Sequence, residues 1–336
     1  MAAGAAGIRR VVPGLVVLAV VAVAADAVAG ALPRVDALVV AVGLGVLLGN
    51  LTSVPDVVWP GIERHKLLLE TGIVLLGASV SIDQVVSSGP VLVGLVVATV
   101  AFGVAFVEVV SRRVTALSAR SGSLLAAGAA ICGVSAVAAV ARGIDADRDT
   151  LAYAAGAVLL LDAVTLVVYP AVGGLLGLPD RVFGVWAGLS MFSTGPVAAA
   201  GFAHSPVAGR WATLTKLVRN ALLGVVATGY AVGYARSGDG ADGSRIGVGD
   251  VWGEFPKFLV GFLVVAFVAN AGLLSGAALA TLGRAADWLF ALAFVGVGFS
   301  IRIDEMRSVG VTPIAVLFLY LLVVSALTLA VVSVLL

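Results

Sequence analysis

Residues 182–203 read VFGVWAGLSMFSTGPVAAAGFA, an apolar stretch interrupted near its middle by Ser, Thr, Gly and Pro. The stretch has the ~20 residues that a helix needs to cross ~30 Å of hydrocarbon. Pro196 removes a backbone donor from the interruption, and Gly195 tolerates an unwound conformation. Unwound backbone at membrane depth occurs only where it is buried in protein or lines a cavity. We therefore predict a transmembrane helix that is broken within Ser190–Pro196.

The rest of the chain has the same apolar character. Of its 336 residues, 61% are hydrophobic and 12% are charged, and the mean hydropathy is +1.16. A soluble domain carries about 25% charged residues, so this chain lacks the polar surface that would cover a globule in water. Glycine, with 42 copies, allows membrane helices to approach closely. The composition predicts an all-α, polytopic membrane protein.

Apolar runs of similar length recur along the chain and predict ten or eleven transmembrane helices. The second run is short, and whether it crosses the membrane stays open. A polar loop rich in Gly, Ser and Asp occupies 236–250. The distribution of Lys and Arg favours a cytoplasmic N-terminus in a multi-pass cell-membrane protein. The runs are 11–31, 37–51, 66–86, 90–110, 122–141, 150–171, 182–203, 213–235, 256–278, 286–302 and 311–335.

One segment occurs twice, as GASVSIDQVVSSG at Gly77–Gly89 and as GFSIRIDEMRSVG at Gly298–Gly310. Each copy ends one apolar run and precedes another, and the predicted spans between the copies reverse their direction. Inverted repeats build many secondary transporters, whose sites lie where discontinuous helices meet. We therefore predict one transporter domain, 1–336, made of peripheral helices 1–59, a first repeat region 60–178 and a second repeat region 179–336.

Two runs carry small and polar residues at their centres and are predicted to be broken. Ser190, Ser193 and Thr194 are spaced so that a continuous helix would put their hydroxyls on one face. The free N–H groups of a half-helix favour an anion, so a substrate or ion site is predicted here. The alternative is a kinked, closely packed helix with no binding role. The candidate residues are Cys132, Gly133 and Ser135 in the fifth run and Ser190, Ser193, Thr194 and Gly195 in the seventh.

Three charged residues inside the runs are further candidates for the site. Asp162 lies near the centre of the sixth run, where a carboxylate costs about 2.5–3.5 kcal/mol and implies a partner or a function. It would carry a proton, bind a cation, or form an ion pair with Lys216 or Arg219. These two cations lie at i and i+3 in the eighth run. They would present a cationic face to an anion or extend to the membrane interface.

Motifs for other chemistries are missing from the sequence. No P-loop indicates ATP-driven transport, and no spacing of His, Cys, Asp and Glu indicates a metal site. We expect no cofactor, no nucleic-acid partner and no enzyme activity, with a membrane-embedded enzyme or assembly factor as the alternative class. The expected partners are a small anion, a coupling proton or sodium ion, and the lipid bilayer, and a homodimer stays open.

From about Gly43 onward the chain resembles a family of bacterial and archaeal membrane proteins named as candidate sulfate exporters. The resemblance implies a transporter, distantly similar to cation/proton antiporters and bile-acid-type sodium symporters. Those folds contain inverted repeats and two broken helices that cross. The resembling pieces are Pro60-Gly-Ile with Lys66, GIVLLG (Gly72–Gly77), ICGVSA (Ile131–Ala136), Tyr169-Pro170, FGVWAGLS (Phe183–Ser190), VAAAG (Val197–Gly201), KLVR (Lys216–Arg219) and the second repeat copy.

The chain departs from the family pattern at the seventh run. The family usually carries His, an acidic residue and Gln where this chain has Phe192, Ser193 and Pro196. Asp162 stands where the family more often has Gly. We therefore expect a secondary active transporter, in the exporting direction, for a small anion such as sulfate or another sulfur-containing anion, working by alternating access. Asp162 is the first candidate for ion or proton coupling, and a cation/proton antiporter on the same fold is the alternative.

Overall fold

The structure, a computed structural model, describes residues 2–31, 36–80, 82–237, 256–302 and 310–336. Most of the predicted polar loop and the middle of the second repeat copy lie outside these residues. In the described part, the regular structure is helical, with no strand. The helices are α1 (Ala2–Ala31), α2 (Ala37–Leu51), α3 (Trp59–Ile62), α4 (His65–Leu76), α5 (Ile82–Val114), α6 (Ala119–Ala130), α7 (Val134–Gly143), α8 (Arg148–Leu175), α9 (Asp180–Ser190), α10 (Thr194–His204), α11 (Pro206–Asn220), α12 (Leu223–Arg236), α13 (Phe258–Asn270), α14 (Gly276–Ser300) and α15 (Val311–Leu335).

The lengths of the helices confirm an all-α, polytopic membrane protein. Within the described residues, five helical stretches are long and apolar enough to cross a bilayer. Several other predicted spans are shorter helices or pairs of half-helices, so in the described residues not every predicted span is one full-length helix. The five long stretches are Arg10–Ala31, Gly89–Val114, Arg148–Leu175, Gly276–Ser300 and Val311–Leu335.

The chain folds into two compact units, each made of two stretches of sequence. The first unit is Met1–Ser87 with Lys257–Ile303, and the second is Ser88–Pro256 with Asp304–Leu336. These units follow packing and do not coincide with the division at 60 and 179, so the two repeat regions remain a prediction.

In the first unit, helices pack closely where glycines face each other. A Cβ added to Gly14 would lie 2.5 Å from the Cα of Gly61, where α1 meets α3. A Cβ added to Gly298 would lie 2.8 Å from the Cα of Gly45, where α2 meets α14. Larger side chains at these positions would separate the backbones, which explains the use of glycine in the contacts.

Two asparagines in the first unit make matching hydrogen bonds to the repeated segment. Asn50 Nδ2 donates to Ile301 O at 2.6 Å, and Asn270 Nδ2 donates to Val80 O at 2.8 Å. Val80 and Ile301 occupy the same place in the two repeat copies. Asn50 lies one residue before the end of α2 and Asn270 is the last residue of α13, so each copy receives the same contact from a short helix. The match supports the sequence repeat, although its origin by duplication remains a prediction.

In the second unit, α9 and α10 form a hairpin, called hairpin B. The ring of Phe183 at the start of α9 stacks on the ring of His204 at the end of α10, with centroids 4.1 Å apart. In one continuous helix these residues would be about 30 Å apart. The chain turns back at Met191–Ser193, where Met191 and Ser193 are extended. Hairpin B therefore enters and leaves at the same end of the unit.

Helices α6 and α7 form a second hairpin, called hairpin A. A Cβ on Gly128 in α6 would lie 2.8 Å from the Val137 side chain in α7, which places the two legs side by side. The chain turns at Ile131–Gly133, where Gly133 has a φ of 68°, a conformation that favours glycine. At the base, Ser123 Oγ lies 3.1 Å from the hydroxyl of Tyr234 in α12.

Helix α8 runs past both hairpins, and the consecutive helices α11 and α12 do the same as a pair. Helix α8 packs against α6 and α7 and then against α10, while α11 packs on hairpin B and α12 on hairpin A. Helix α8 begins at an N-cap, where both oxygens of Asp147 accept hydrogen bonds from Thr150 at 2.8 Å. These bonds lower the pKa of the Asp147 carboxyl. Because α8 packs first against hairpin A and then against α10 of hairpin B, the two hairpins enter the second unit from opposite ends.

The hairpins differ from the crossing helices that the resemblance implied. Both breaks fall where the sequence predicts them, but the chain reverses at each break. Each leg has 10 to 12 residues and is about 15–18 Å long, half of what a bilayer requires. About 22 apolar residues can form one membrane-spanning helix or a hairpin of two half-length helices. Hydrophobicity alone therefore does not distinguish a spanning helix from a hairpin.

Cysteine labelling distinguishes a hairpin from a crossing helix. In a Cys132→Ser background, a membrane-impermeant maleimide should reach Ala116→Cys and Asp149→Cys from one side of the membrane, because these positions flank hairpin A. It should reach Leu176→Cys and Val207→Cys, which flank hairpin B, from the other side. Labelling would be compared in intact spheroplasts and inside-out vesicles. Reaction of Ala116→Cys and Asp149→Cys from opposite sides would contradict the hairpin.

Candidate functional site

The tips of hairpins A and B touch each other inside the second unit. A Cβ added to Gly133 would overlap the Ser193 hydroxyl and would lie 3.2 Å from Ser193 Cα. The predicted breaks in the fifth and seventh runs are therefore in contact. Both are turns of irregular backbone, whose polar groups need partners in an apolar surrounding.

A carboxylate from the middle of α8 lies at this contact. Asp162 is 2% exposed, and its Oδ1 accepts a hydrogen bond of 3.0 Å from Ser193 N, the N-cap residue of α10. Its Oδ2 has no hydrogen-bond partner among the described residues, and neither does Ser193 Oγ. A buried carboxylate at the N-terminus of a helix is stabilised by the positive end of the helix dipole.

Two cations lie on the other side of the tips, where the first leg of each hairpin ends. Lys216 Nζ donates to Ile131 O at 2.7 Å and to Met191 O at 3.0 Å. Arg219 Nε donates to Ala130 O at 2.7 Å, and its Nη1 donates to Leu189 O and Met191 O. The guanidinium also contacts Ala129 O. Both side chains are fully buried, so neither extends to a membrane interface.

The arrangement follows from the directions of the four legs. Helices α6 and α9 end at the tips and leave carbonyls without intrahelical partners, and a cation near a helix C-terminus is favourable. Helices α7 and α10 begin at the tips and present N–H groups, which favour an anion. The two cations thus meet the carbonyl ends, and Asp162 meets an N–H end. Asp162 makes no direct ion pair with Lys216 or Arg219, so the predicted ion pair is not formed.

Hydroxyl and amide groups complete the polar surroundings of the tips. Asn220 Nδ2 donates to Thr194 Oγ1 at 3.0 Å, and Asn220 Oδ1 has no hydrogen-bond partner in the described part of the chain. Thr194 and Ser193 are half-buried, and Ser135 on the first turn of α7 is exposed. The N-terminal ends of α7 and α10 are therefore the side of the tips that is partly open. We call Gly133, Asp162, Ser193, Thr194 and Asn220 the tip site.

The structure brings the predicted site residues to the tips, and the hydroxyl of one of them bonds within its own helix. Ser190 is the last residue of α9, and its hydroxyl donates to Trp186 O at 2.6 Å within its own helix. Because the helix ends there, Ser190 does not share a helical face with Ser193 and Thr194, which corrects the expectation from their spacing. The residues at or next to the tips are Cys132, Gly133, Ser135, Asp162, Ser190, Ser193, Thr194, Gly195, Lys216 and Arg219.

The sequence interpretation missed the role of Asn220 and the reversal of both breaks. The close packing of α9 had a signal in the sequence, because Gly184 and Gly188 are four residues apart. A Cβ on Gly184 would lie 2.5 Å from Ala208 O, and one on Gly188 would lie 2.6 Å from Thr215 Cβ. Small residues at this spacing mark a close helix contact, here between α9 and α11. No group of three or more His, Cys, Asp or Glu that would hold a metal occurs among the described residues.

Helices that span a bilayer, two half-length hairpins and a buried polar site define the class of this protein. It is a polytopic α-helical membrane protein with discontinuous helices in its second unit. The chain belongs to the family described as conserved hypothetical protein 698, which matches residues 13–317.

Curated relatives in this family are called UPF0324 membrane proteins. One from Nitratidesulfovibrio vulgaris is 29% identical over 322 residues, covering 91% of this chain and 88% of the relative. One from Paracoccus pantotrophus, named TauZ, is 32% identical over 316 residues, covering 92% and 91%. One from Agrobacterium fabrum is 31% identical over 274 residues, covering 81% and 77%. No solved structure shows significant similarity to the chain.

The contact between the tips predicts the effect of a methyl group at Gly133. Gly133→Ala should lower the melting temperature in detergent by at least about 2 °C more than Gly177→Ala. Both glycines have positive φ, but a Cβ on Gly177 meets nothing within 4 Å. Ser193→Ala should recover part of the loss caused by Gly133→Ala, because it removes the overlapping hydroxyl. Equal melting temperatures for the two glycine variants would contradict a tight contact between the hairpins.

The hydrogen bonds of Arg219 predict that its shape matters as well as its charge. Arg219→Lys keeps the charge but cannot donate to both hairpins through a planar fork. Each carbonyl left without a donor should cost about 1–3 kcal/mol, seen as a lower melting temperature. The exposed Arg148→Lys is the matched control. If Arg219→Lys melts with the wild type, the guanidinium does not hold the two legs.

Proposed function

We propose that the protein is a secondary active transporter of a small anion, with the tip site and its neighbouring cations as the binding region. The observation that carries this proposal is the placement of N–H ends and cations around the two touching tips. The resemblance in sequence adds sulfate and other sulfur-containing anions as the first substrates to test. Export, alternating access and the absence of enzyme activity belong to the same proposal.

The charges around the tips favour an anion. Lys216 and Arg219 carry two positive charges when protonated, and Asp162 carries one negative charge when ionised. The partial charges of the helix ends cancel approximately, because two C-termini and two N-termini meet there. With all three groups ionised, the side chains leave an excess of one positive charge in a buried place, where an unbalanced charge is costly. A bound anion would balance it, with one negative charge while Asp162 is ionised and with two, as in sulfate, once Asp162 is neutral.

The opposite entry of the hairpins supports alternating access. Hairpin A closes the approach to the tip site from one end of the second unit, and hairpin B closes it from the other. Movement of one hairpin tip would open the site toward one end while the other tip kept it closed. Discontinuous helices meeting at a central site have this role in many secondary transporters. A channel would need both approaches open together.

A cation/proton antiporter is the second candidate, and a specific observation favours it. Asp162 Oδ2 and Ser193 Oγ are buried oxygens without hydrogen-bond partners among the described residues. Oxygen atoms of this kind bind hard cations such as sodium. In this alternative, Asp162 would bind a proton and a cation in turn, and no anion would be carried. The two candidates therefore differ in whether an anion crosses the membrane.

Flux measurements in proteoliposomes separate the candidates. The purified protein should carry labelled sulfate or another anion from a panel, and an excess of unlabelled substrate should compete with the labelled one. Sodium and proton gradients would be imposed independently, with empty liposomes as the control. Anion flux that requires the protein would support the first candidate. Sodium/proton exchange without movement of any anion in the panel would replace it with the second.

A further inference from the structure

We propose that Asp162 is a tethered anion that occupies the substrate's place at the N-terminus of α10, and that the substrate binds once Asp162 has taken up a proton. This inference rests on the proposed anion transport and specifies its regulation. It names the coupling ion as a proton and gives a direction for the effect of pH. The carboxylate and the substrate would exclude each other from one donor group.

The donor group in question is the backbone N–H of Ser193. This N–H belongs to the N-cap residue of α10, an 11-residue helix, and points to Asp162 Oδ1 at 3.0 Å. Asp162 comes from α8, so its carboxylate is an intramolecular ligand of hairpin B. The N-terminus of a helix is a natural place for a free anion. Here a carboxylate of the protein already fills it.

A second oxygen of Asp162 is available to receive the proton. Oδ2 is buried and has no hydrogen-bond partner in the described residues. A proton from the aqueous phase would bind to Oδ2 and leave a neutral carboxyl group, with no other bond formed or broken. The hydrogen bond from Ser193 N–H would then lose its charge assistance, which strengthens bonds to carboxylates. The N–H would become available to an oxygen atom of the substrate.

Protonation also changes the charge that the substrate meets. Neutralising Asp162 removes one negative charge, so the net charge around the tips becomes more positive by one. Proton binding and anion binding therefore favour each other, and the effect is reciprocal. One proton would accompany each anion in the same direction, so export in this scheme is driven by the outward gradient of the anion.

The other titratable groups that face this place are two cations, a thiol and two phenols, while the hydrogen bond from Ser193 N–H goes to Asp162. Lys216 and Arg219 come from α11, Cys132 from the turn of hairpin A and Tyr320 from α15, while Tyr169 lies on α8 itself. Lys216 and Arg219 donate to backbone carbonyls. Thiol and phenol groups are ordinarily neutral at neutral pH. Among the described residues, Asp162 is thus the carboxylate at the tips.

Binding of sulfate at several pH values tests the inference. The affinity of the wild-type protein, measured by thermal stabilisation and by isothermal calorimetry between pH 5.5 and 8.5, should fall about tenfold per pH unit where Asp162 loses its proton. Asp162→Asn should bind sulfate with an affinity that does not depend on pH, and more tightly than the wild type at pH 8.5. Asp149→Asn, an exposed change on the same helix, should match the wild type.

The outcomes separate this inference from the proposed function. Sulfate binding with the same pH dependence in Asp162→Asn and the wild type would overturn the tethered anion and leave anion binding intact. A wild-type affinity that responds to sodium and not to pH would also overturn it. Absence of binding by the wild type and the variant, for sulfate and every other anion of the panel, would overturn the proposed function itself. Asp162→Ser, tested in parallel, replaces Asp162→Asn if that variant does not fold.

Discussion

The second unit depends on the need to satisfy backbone carbonyls that end inside it. Two half-helices, α6 and α9, stop at the tips of the hairpins, where no water-exposed surface is available to most of their last carbonyls. Arg219 and Lys216 supply the missing donors, and each reaches both hairpins. The cost of burying the two cations is offset because their charges meet the negative ends of the helices. Removal of this pairing would leave both tips without support.

The positions of the breaks followed from the sequence, but their shape did not. Gly133 and the Ser193–Pro196 stretch interrupt apolar runs, and both interruptions are turns in the structure. The reversal at each turn depends on contacts far apart in sequence, such as Phe183 with His204. The predicted start of the tenth run at 286 was also late, because α14 begins at Gly276. The first turns of α14 are too polar to be counted in an apolar run, although they are helical.

The sequence predicted which charged residues belong to the site, but not which groups they bond to. Asp162 stood out because a carboxylate in an apolar run is costly, and Lys216 and Arg219 stood out as neighbouring cations. Pairwise charge attraction suggested an ion pair between them, but the structure directs all three to backbone groups. The resemblance placed an acidic residue of the family where this chain has Ser193. Asp162 reaches the backbone of Ser193 from another helix, which puts a carboxylate back at nearly the same place.

The division between α11 and α12 has a consequence for how the hairpins are aligned. Helix α11 packs on hairpin B, α12 packs on hairpin A, and Ala221 and Leu222 join them. The rotation of hairpin A relative to hairpin B therefore depends on a linker of two residues. One inserted residue would rotate α12 by about 100° around its axis and carry Tyr234 away from Ser123. The contact of Asn220 with hairpin B would be unchanged. The length of the linker therefore sets how the two hairpins are aligned at the site.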